Sequence, residues 1–151
     1  MGALVKLQGQ YSFPADREQV WKLMLDPESL KHCVPGCESL EPTSEDQYQV
    51  TLKVGVAAIR GTYKGKIGIV DKVEPSSYRL RVEGSGGPGF VRGEASISLE
   101  EDGGGTKVVV DADGNVGGTV AGVGQRMLGG VAKMLMDQFF NCLKSQVNTG
   151  A

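Results

Sequence analysis

The sequence contains no unbroken apolar stretch of the ~18 residues that a membrane-spanning helix needs. Its start, Met1-Gly2-Ala3-Leu4-Val5-Lys6, has neither the basic patch nor the apolar run of a secretion signal, so the expectation is a cytoplasmic chain. No stretch gathers lysine and arginine into a stripe, and the net charge is −2, which excludes nucleic acid as a partner because phosphate neutralisation needs clustered cations. Histidine is nearly missing, with His32 alone. Cysteines number three (Cys33, Cys37 and Cys142), an odd count that in a reducing compartment argues for free thiols and against a disulfide framework. His32, Cys33 and Cys37 lie close in sequence but match no zinc spacing and lack a fourth ligand, so no metal and no cofactor is expected.

Glycine is what the sequence has in excess, 23 in 151 residues, within an otherwise ordinary globular composition of 40% hydrophobic and 23% charged residues. One domain spanning 1–151, with a tail at 148–151, fits that length. Strand-like alternation runs over Leu4–Phe13, Gln47–Val56, Thr62–Ile69, Tyr78–Glu83, Val91–Leu99 and Lys107–Ala112, each with one polar face. That pattern predicts an antiparallel sheet covered on one side only. Asp16 followed by Gln19 reads as a helix start, and Asp26-Pro27 as a second one that ends before Pro35-Gly36. After Gly117-Gly118 the period changes to three-to-four: Val120, Val123, Met127, Val131, Met134 or Leu135, Gln138 and Cys142, widened by Leu128, Phe139 and Leu143. This predicts an amphipathic helix of about 25 residues that needs the inner face of the sheet to cover it. The order is a strand, two short helices, a run of strands and a long helix, expected to form an α+β helix-grip domain with a curved sheet of about seven strands.

Gly9, Gly65, Gly93, Ala95 and Ala112 fall on the inner face, where a plain core would be filled, and opposite them the helix offers Met127, Met134 and Met136 with Gly122, Gly124, Gly129 and Gly130. Bending of the strands is the expected role of any one glycine, and a cavity that of the set. The stretch Gly84-Ser85-Gly86-Gly87-Pro88-Gly89-Phe90 reads either as a plain hairpin loop or as a portal flap made of Gly84, Gly86, Gly87, Pro88 and Gly89, with Phe90 as an apolar plug. The expected lining of the cavity is Leu52, Tyr63, Ile67, Leu80, Phe90, Val110, Met127, Val131 and Leu135. Catalysis is poorly supplied: carboxylates fall on outward positions, and no serine or cysteine has a base nearby in the pattern.

Four stretches resemble a known family: Cys33-Val34-Pro35-Gly36-Cys37-Glu38-Ser39-Leu40, Leu52-Lys53-Val54-Gly55-Val56 leading to Arg60-Gly61-Thr62-Tyr63-Lys64-Gly65-Lys66, Asp111-Ala112-Asp113-Gly114-Asn115-Val116-Gly117-Gly118, and Asp137-Gln138-Phe139-Phe140. Together they are similar to the CoxG family, the G-subunits of carbon monoxide dehydrogenase, over about Leu4 to Leu143. The resemblance implies a START-like (SRPBCC) helix-grip fold, of the kind shared by polyketide cyclases and lipid carriers, with a cavity between sheet and long helix. It also implies service to a molybdenum-containing hydroxylase of the carbon monoxide dehydrogenase type, in maturation, membrane recruitment or traffic of a lipophilic carrier such as a quinone. Many members carry a membrane-seeking tail; for this sequence, which ends at Ala151, peripheral contact at the inner membrane face is the most that is expected.

The sequence thus leads to a non-catalytic binding protein for a hydrophobic small molecule, quinone or lipid. Two alternatives stay open: an assembly factor that grips its partner enzyme through a sheet edge or the flap, and a cyclase- or hydrolase-like enzyme using Tyr63 or His32. Pairing of the domain with itself as a homodimer is also left open.

Overall fold

The computed structural model describes residues 3–55, 59–87 and 89–149. Among them a single sheet of seven antiparallel strands runs in the order β1-β7-β6-β5-β4-β3-β2. The strands are β1 (Ala3–Phe13), β2 (Cys37–Ser44), β3 (Gln47–Val54), β4 (Gly61–Val73), β5 (Ser77–Gly86), β6 (Gly89–Asp102) and β7 (Gly105–Gly117). Helices α1 (Arg17–Leu25) and α2 (Pro27–Cys33) follow β1, and α3 (Gln125–Thr149) closes the chain. The predicted α+β helix-grip architecture is the one observed. Residues 56–58, where strand β3 was expected to end and reverse, lie outside the described residues, as do Pro88 and residues 150 and 151.

Local chemistry explains the helix boundaries. The Asp16 carboxylate accepts the Gln19 backbone N–H at 2.9 Å and starts α1, while Asp26 accepts that of Glu28 at 3.2 Å and, with Pro27 at the first helical position, starts α2. The long helix begins later than its apolar pattern, because Gly118 and Gly124 take φ of 85° and 93° and bracket a 3-10 segment, Thr119–Val123. It also continues to Thr149, so 148 and 149 belong to the helix and not to a tail. Strand β2 escaped the alternation reading because it contains Pro42 and buries only Leu40.

The main core fills one end of the inner face. Phe13, Tyr11, Val108, Val110, Leu99, Ile97, Tyr78, Ile69, Tyr48 and Val50 pack there with Val20, Trp21 and Met24 of α1 and Phe140, Leu143 and Val147 of α3. Thr106, 1% exposed, satisfies its hydroxyl by donating to the Ala15 carbonyl at 2.7 Å. Cys33 and Cys142 form a disulfide between α2 and α3, with Cα atoms 5.4 Å apart, which corrects the expectation of three free thiols; Cys37 alone is free. Sequence could not foresee it, since a separation of 109 residues is closed only by the packing of α2 on α3.

Candidate functional site

Away from the main core, the same inner face is apolar but only half-buried. Leu52, Ile67, Leu80, Ala95 and Ala112 pack against the edge of the core, and beyond them Tyr63, Val82, Val116, Val5 and Leu7 remain partly accessible. Two further buried residues, Val120 and Leu128, belong to the 3-10 segment and to the first turn of α3, and they are not continuous with the main core. The apolar interior is therefore interrupted between the N-terminal half of α3 and the sheet.

Gly129 locates the interruption. It shares an arc of α3 with Met136, Phe140 and Leu143, seven, eleven and fourteen residues on, which is the arc that faces the sheet. A Cβ at Gly129 would nevertheless meet nothing within 4 Å. Further along the helix the space is taken: Met136 reaches down to Gly9, where an added Cβ would lie 2.9 Å from its methyl. On the sheet-facing arc the space is thus open at Gly129 and closed by Met136.

Two ties hold this roof. On one flank Lys133 and Tyr11 each donate to Asp137 at 2.6 Å, and Tyr11 stacks on Phe140 with ring centroids 4.2 Å apart. The Lys133 ammonium, then the Tyr11 hydroxyl, holds the Asp137 carboxyl below its usual value, while burial and Asp137 push the Tyr11 phenol up. On the other flank the Cys33–Cys142 disulfide and the Ser29 hydroxyl, 3.5 Å from Gln146, join α3 to α2.

Several predicted site residues are placed otherwise. Leu52, Ile67 and Leu80 stand half-buried on the inner face against the edge of the main core, whereas Val131, about 200° round α3 from Gly129, and Leu135 are half-buried off the sheet-facing arc. Val110 lies inside the solid core at 4% exposure. Met127 and Met134, 52% and 40% exposed, stand on the solvent arc of α3 with Gln138, Asn141 and Ser145, so the stripe read as the lid is its outer edge. Phe90 is on the opposite face of the sheet, paired across strands with Ser85 and Gly117 and with its ring over the Gly117 Cα; Val91 takes the inward place. Neither the portal flap nor a loose loop exists in the described part of that stretch: Gly84 and Gly86 end β5, Gly89 starts β6, and Gly86 pairs with Gly89 around Gly87, with Pro88 outside the described residues.

Most inner-face glycines serve curvature. A Cβ at Gly65 would run into the Glu83 carbonyl and approach the Gly84 Cα to 2.8 Å, and one at Gly93 would lie 2.8 Å from the Asp113 carbonyl. Gly65 pairs with Gly84, and Gly93 with Gly114, so the bend crosses four strands. Two shallow depressions of about 320 and 370 Å³ lie on the outer face, on either side of Lys64-Gly65-Lys66, and neither touches the predicted lining other than Phe90.

A long helix gripped by a bent seven-stranded sheet can be compared with known proteins. The family model for the G-subunit of carbon monoxide dehydrogenase (CoxG) matches residues 9–148. The chain belongs to the CoxG family. A conserved protein from Geobacillus kaustophilus is 39% identical, with a TM-score of 0.93 over 95% of either chain. A START superfamily protein from Mycobacterium smegmatis, 14% identical, has a TM-score of 0.76 and covers 97% of this chain and 99% of its own. The protein TTHA0849 from Thermus thermophilus, 18% identical, has a TM-score of 0.72 over 97% and 99%. The last two establish the START-like fold alone. No curated protein matches.

Family membership and the START-like fold point to a ligand-binding accessory protein. In this CoxG domain the feature that sequence reasoning missed is the Tyr11–Lys133–Asp137 tie. It left half of a signal, the four-residue spacing of Lys133 and Asp137.

Proposed function

We propose that this CoxG domain is a carrier for a hydrophobic small molecule of the quinone or lipid class, held between α3 and the inner face of the sheet, in the service of a molybdenum-containing hydroxylase. The observation that carries the reading is the unfilled space at Gly129 above an apolar, half-buried floor. Interiors normally pack to crystal density, and an apolar gap with an apolar rim is what a greasy guest fills. Each 100 Å² of guest surface covered there contributes about 2.5 kcal/mol before the ordering costs of binding.

A catalytic role finds little support in the side chains. The Tyr63 hydroxyl donates to the Ile59 carbonyl at 2.7 Å and burial pushes its phenol up, so it is a poor proton donor to a ligand. His32 is exposed in the last turn of α2. Native mass spectrometry of the purified protein, followed by calorimetric titration with a short-chain quinone and a medium-chain fatty acid, tests the carrier reading. An apolar adduct, or saturable binding of either probe at one site, is expected. No adduct and no saturable binding would refute it.

A further inference from the structure

The stripe of α3 expected from the sequence to be a lid is turned to solvent, and it needs another explanation. Met127, Val131, Met134, Gln138, Asn141 and Ser145 follow one another at intervals of four, three, four, three and four residues. At about 100° per residue they lie on the side of the helix opposite Gly129, Met136, Phe140 and Leu143. Met127 and Met134 are 52% and 40% exposed, Gln138, Asn141 and Ser145 are exposed, and Val131 is half-buried. A surface helix ordinarily carries its charges opposite the core. Here the four charged residues of α3, Arg126, Lys133, Asp137 and Lys144, all fall on one flank, between the stripe and the sheet-facing arc, and Lys133 and Asp137 are paired there at 2.6 Å. The outermost face is left with two methionines, a valine, two amides and a hydroxyl, and that hydroxyl, on Ser145, donates back to the Cys142 carbonyl at 2.7 Å. Loss of charge together with enrichment in methionine is the composition of an interface core.

From this stripe we propose that two copies of the chain pair through the outer faces of their α3 helices, antiparallel about a two-fold axis. The intervals decide the kind of occupant, since alternation of three and four is the 3.5-residue period that keeps a seam in register with another helix. Self-complementarity decides which helix. With Val131 of each copy set against Met134 of the other, Met127 of each meets Gln138 of the other, so the apolar side chains gather at the centre and the amides form the rim. In that register no charged residue of one helix lies in the seam of the other, so identical chains approach without like-charge contact. A foreign helix would be selected through charges beside the seam, and those of α3 stand on one flank only, two of them already paired with each other. Four layers of side chains fall short of the about 1,200 Å² of buried surface at which stable complexes begin, so association is weak, with a dissociation constant between about 10 μM and 1 mM. The inference goes beyond the carrier reading and stands without it, because the stripe faces away from the interior.

Sedimentation velocity of the whole chain at rising concentration, up to about 1 mM, tests the pairing. A reversible equilibrium of monomer and dimer is expected. Met134→Glu and Val131→Lys each place an unpaired charge in the seam twice and should weaken the dimer about a hundredfold or more. Neither residue belongs to the core cluster, so the two variants should melt with the parent at low concentration. Mixed in equal amounts they should recover a heterodimer within about tenfold of the parent's affinity, because the new carboxylate of one then meets the new ammonium of the other. Met127→Glu with Gln138→Lys is the second such pair and replaces the first should Val131→Lys lower the melting temperature. A parent that stays monomeric throughout, a dimer that the charged variants leave intact, or a mixture that stays as monomeric as its two components would overturn the proposal.

Discussion

Gly129→Trp is the substitution that tests the open interior most directly. The Cβ position is empty to 4 Å and lies on the sheet-facing arc, so an indole there enters the gap and not the solvent. Replacing a mid-helix glycine returns a few tenths of a kcal/mol in propensity even for an aromatic residue. In a filled interior the same change would overpack the core at about 1–3 kcal/mol, lowering the melting temperature by roughly 2–12 °C in a domain of this size. The expected melting temperature is therefore unchanged or higher. The ring would also displace about 100 Å² of guest contact, so a quinone that binds the parent chain should bind roughly seventyfold more weakly. Scanning fluorimetry reads the first effect and calorimetric titration the second. A variant that melts several degrees lower shows that the space is filled, and one that melts normally yet binds quinone as the parent does shows that the guest lies elsewhere.

Gly65→Ala should behave in the opposite way, because its methyl would be driven into the Glu83 carbonyl; a loss of about 1–3 kcal/mol, seen as a lower denaturant midpoint, is expected. Reduction, or Cys142→Ser, opens a loop of 109 residues and should cost up to about 4–5 kcal/mol by loop entropy; thiol titration should count one free thiol in the unfolded oxidised chain and three after reduction. Asp137 has a lowered carboxyl pKa in the fold, so its tie contributes stability that is fully present above the ordinary aspartate range of ~3.9 and is lost as pH falls through the lower folded value. The melting temperatures of the parent and Asp137→Asn should accordingly differ at neutral pH and converge in acid, and a constant gap across that range would refute the linkage.

The parts of the fold that were legible in the sequence are those written in local chemistry. Period-two alternation located most strands and their inward faces, Asp16 and Asp26-Pro27 gave the helix starts, and the four quoted stretches were enough to suggest the family. What stayed hidden depends on contacts between distant segments. The side to which Phe90 turns is fixed by its pairing with Gly117, twenty-seven residues on, and not by its neighbours. Glycines 84, 86 and 89 look like a loose loop when read along the chain, yet they continue the β5–β6 ladder, and at Gly86 and Gly89 another backbone comes too close for a Cβ. The rotation of α3 was misread because its first half offers two apolar stripes, and only the bulky C-terminal set, Phe140, Leu143 and Val147, decides which one turns inward.

Curvature and cavity, which the sequence presents as rival uses of the same glycines, are one property of the fold in the carrier reading proposed above. The pairs Gly65–Gly84 and Gly93–Gly114 let neighbouring strands approach on the inner side until a Cβ would strike a carbonyl, and this makes the sheet concave toward α3. The helix is a stiff rod about 37 Å long by its 25 residues. A rod laid over a concave surface touches near its ends and stands clear between them. The buried residues divide accordingly: a solid core under Phe140, Leu143 and Val147, a separate contact at Val120 and Leu128, and beside that contact Gly129, where an added Cβ would meet nothing within 4 Å. On the carrier reading proposed above, the container needs no special lining, only glycines where the sheet turns, and side-chain chemistry is left free to choose the guest.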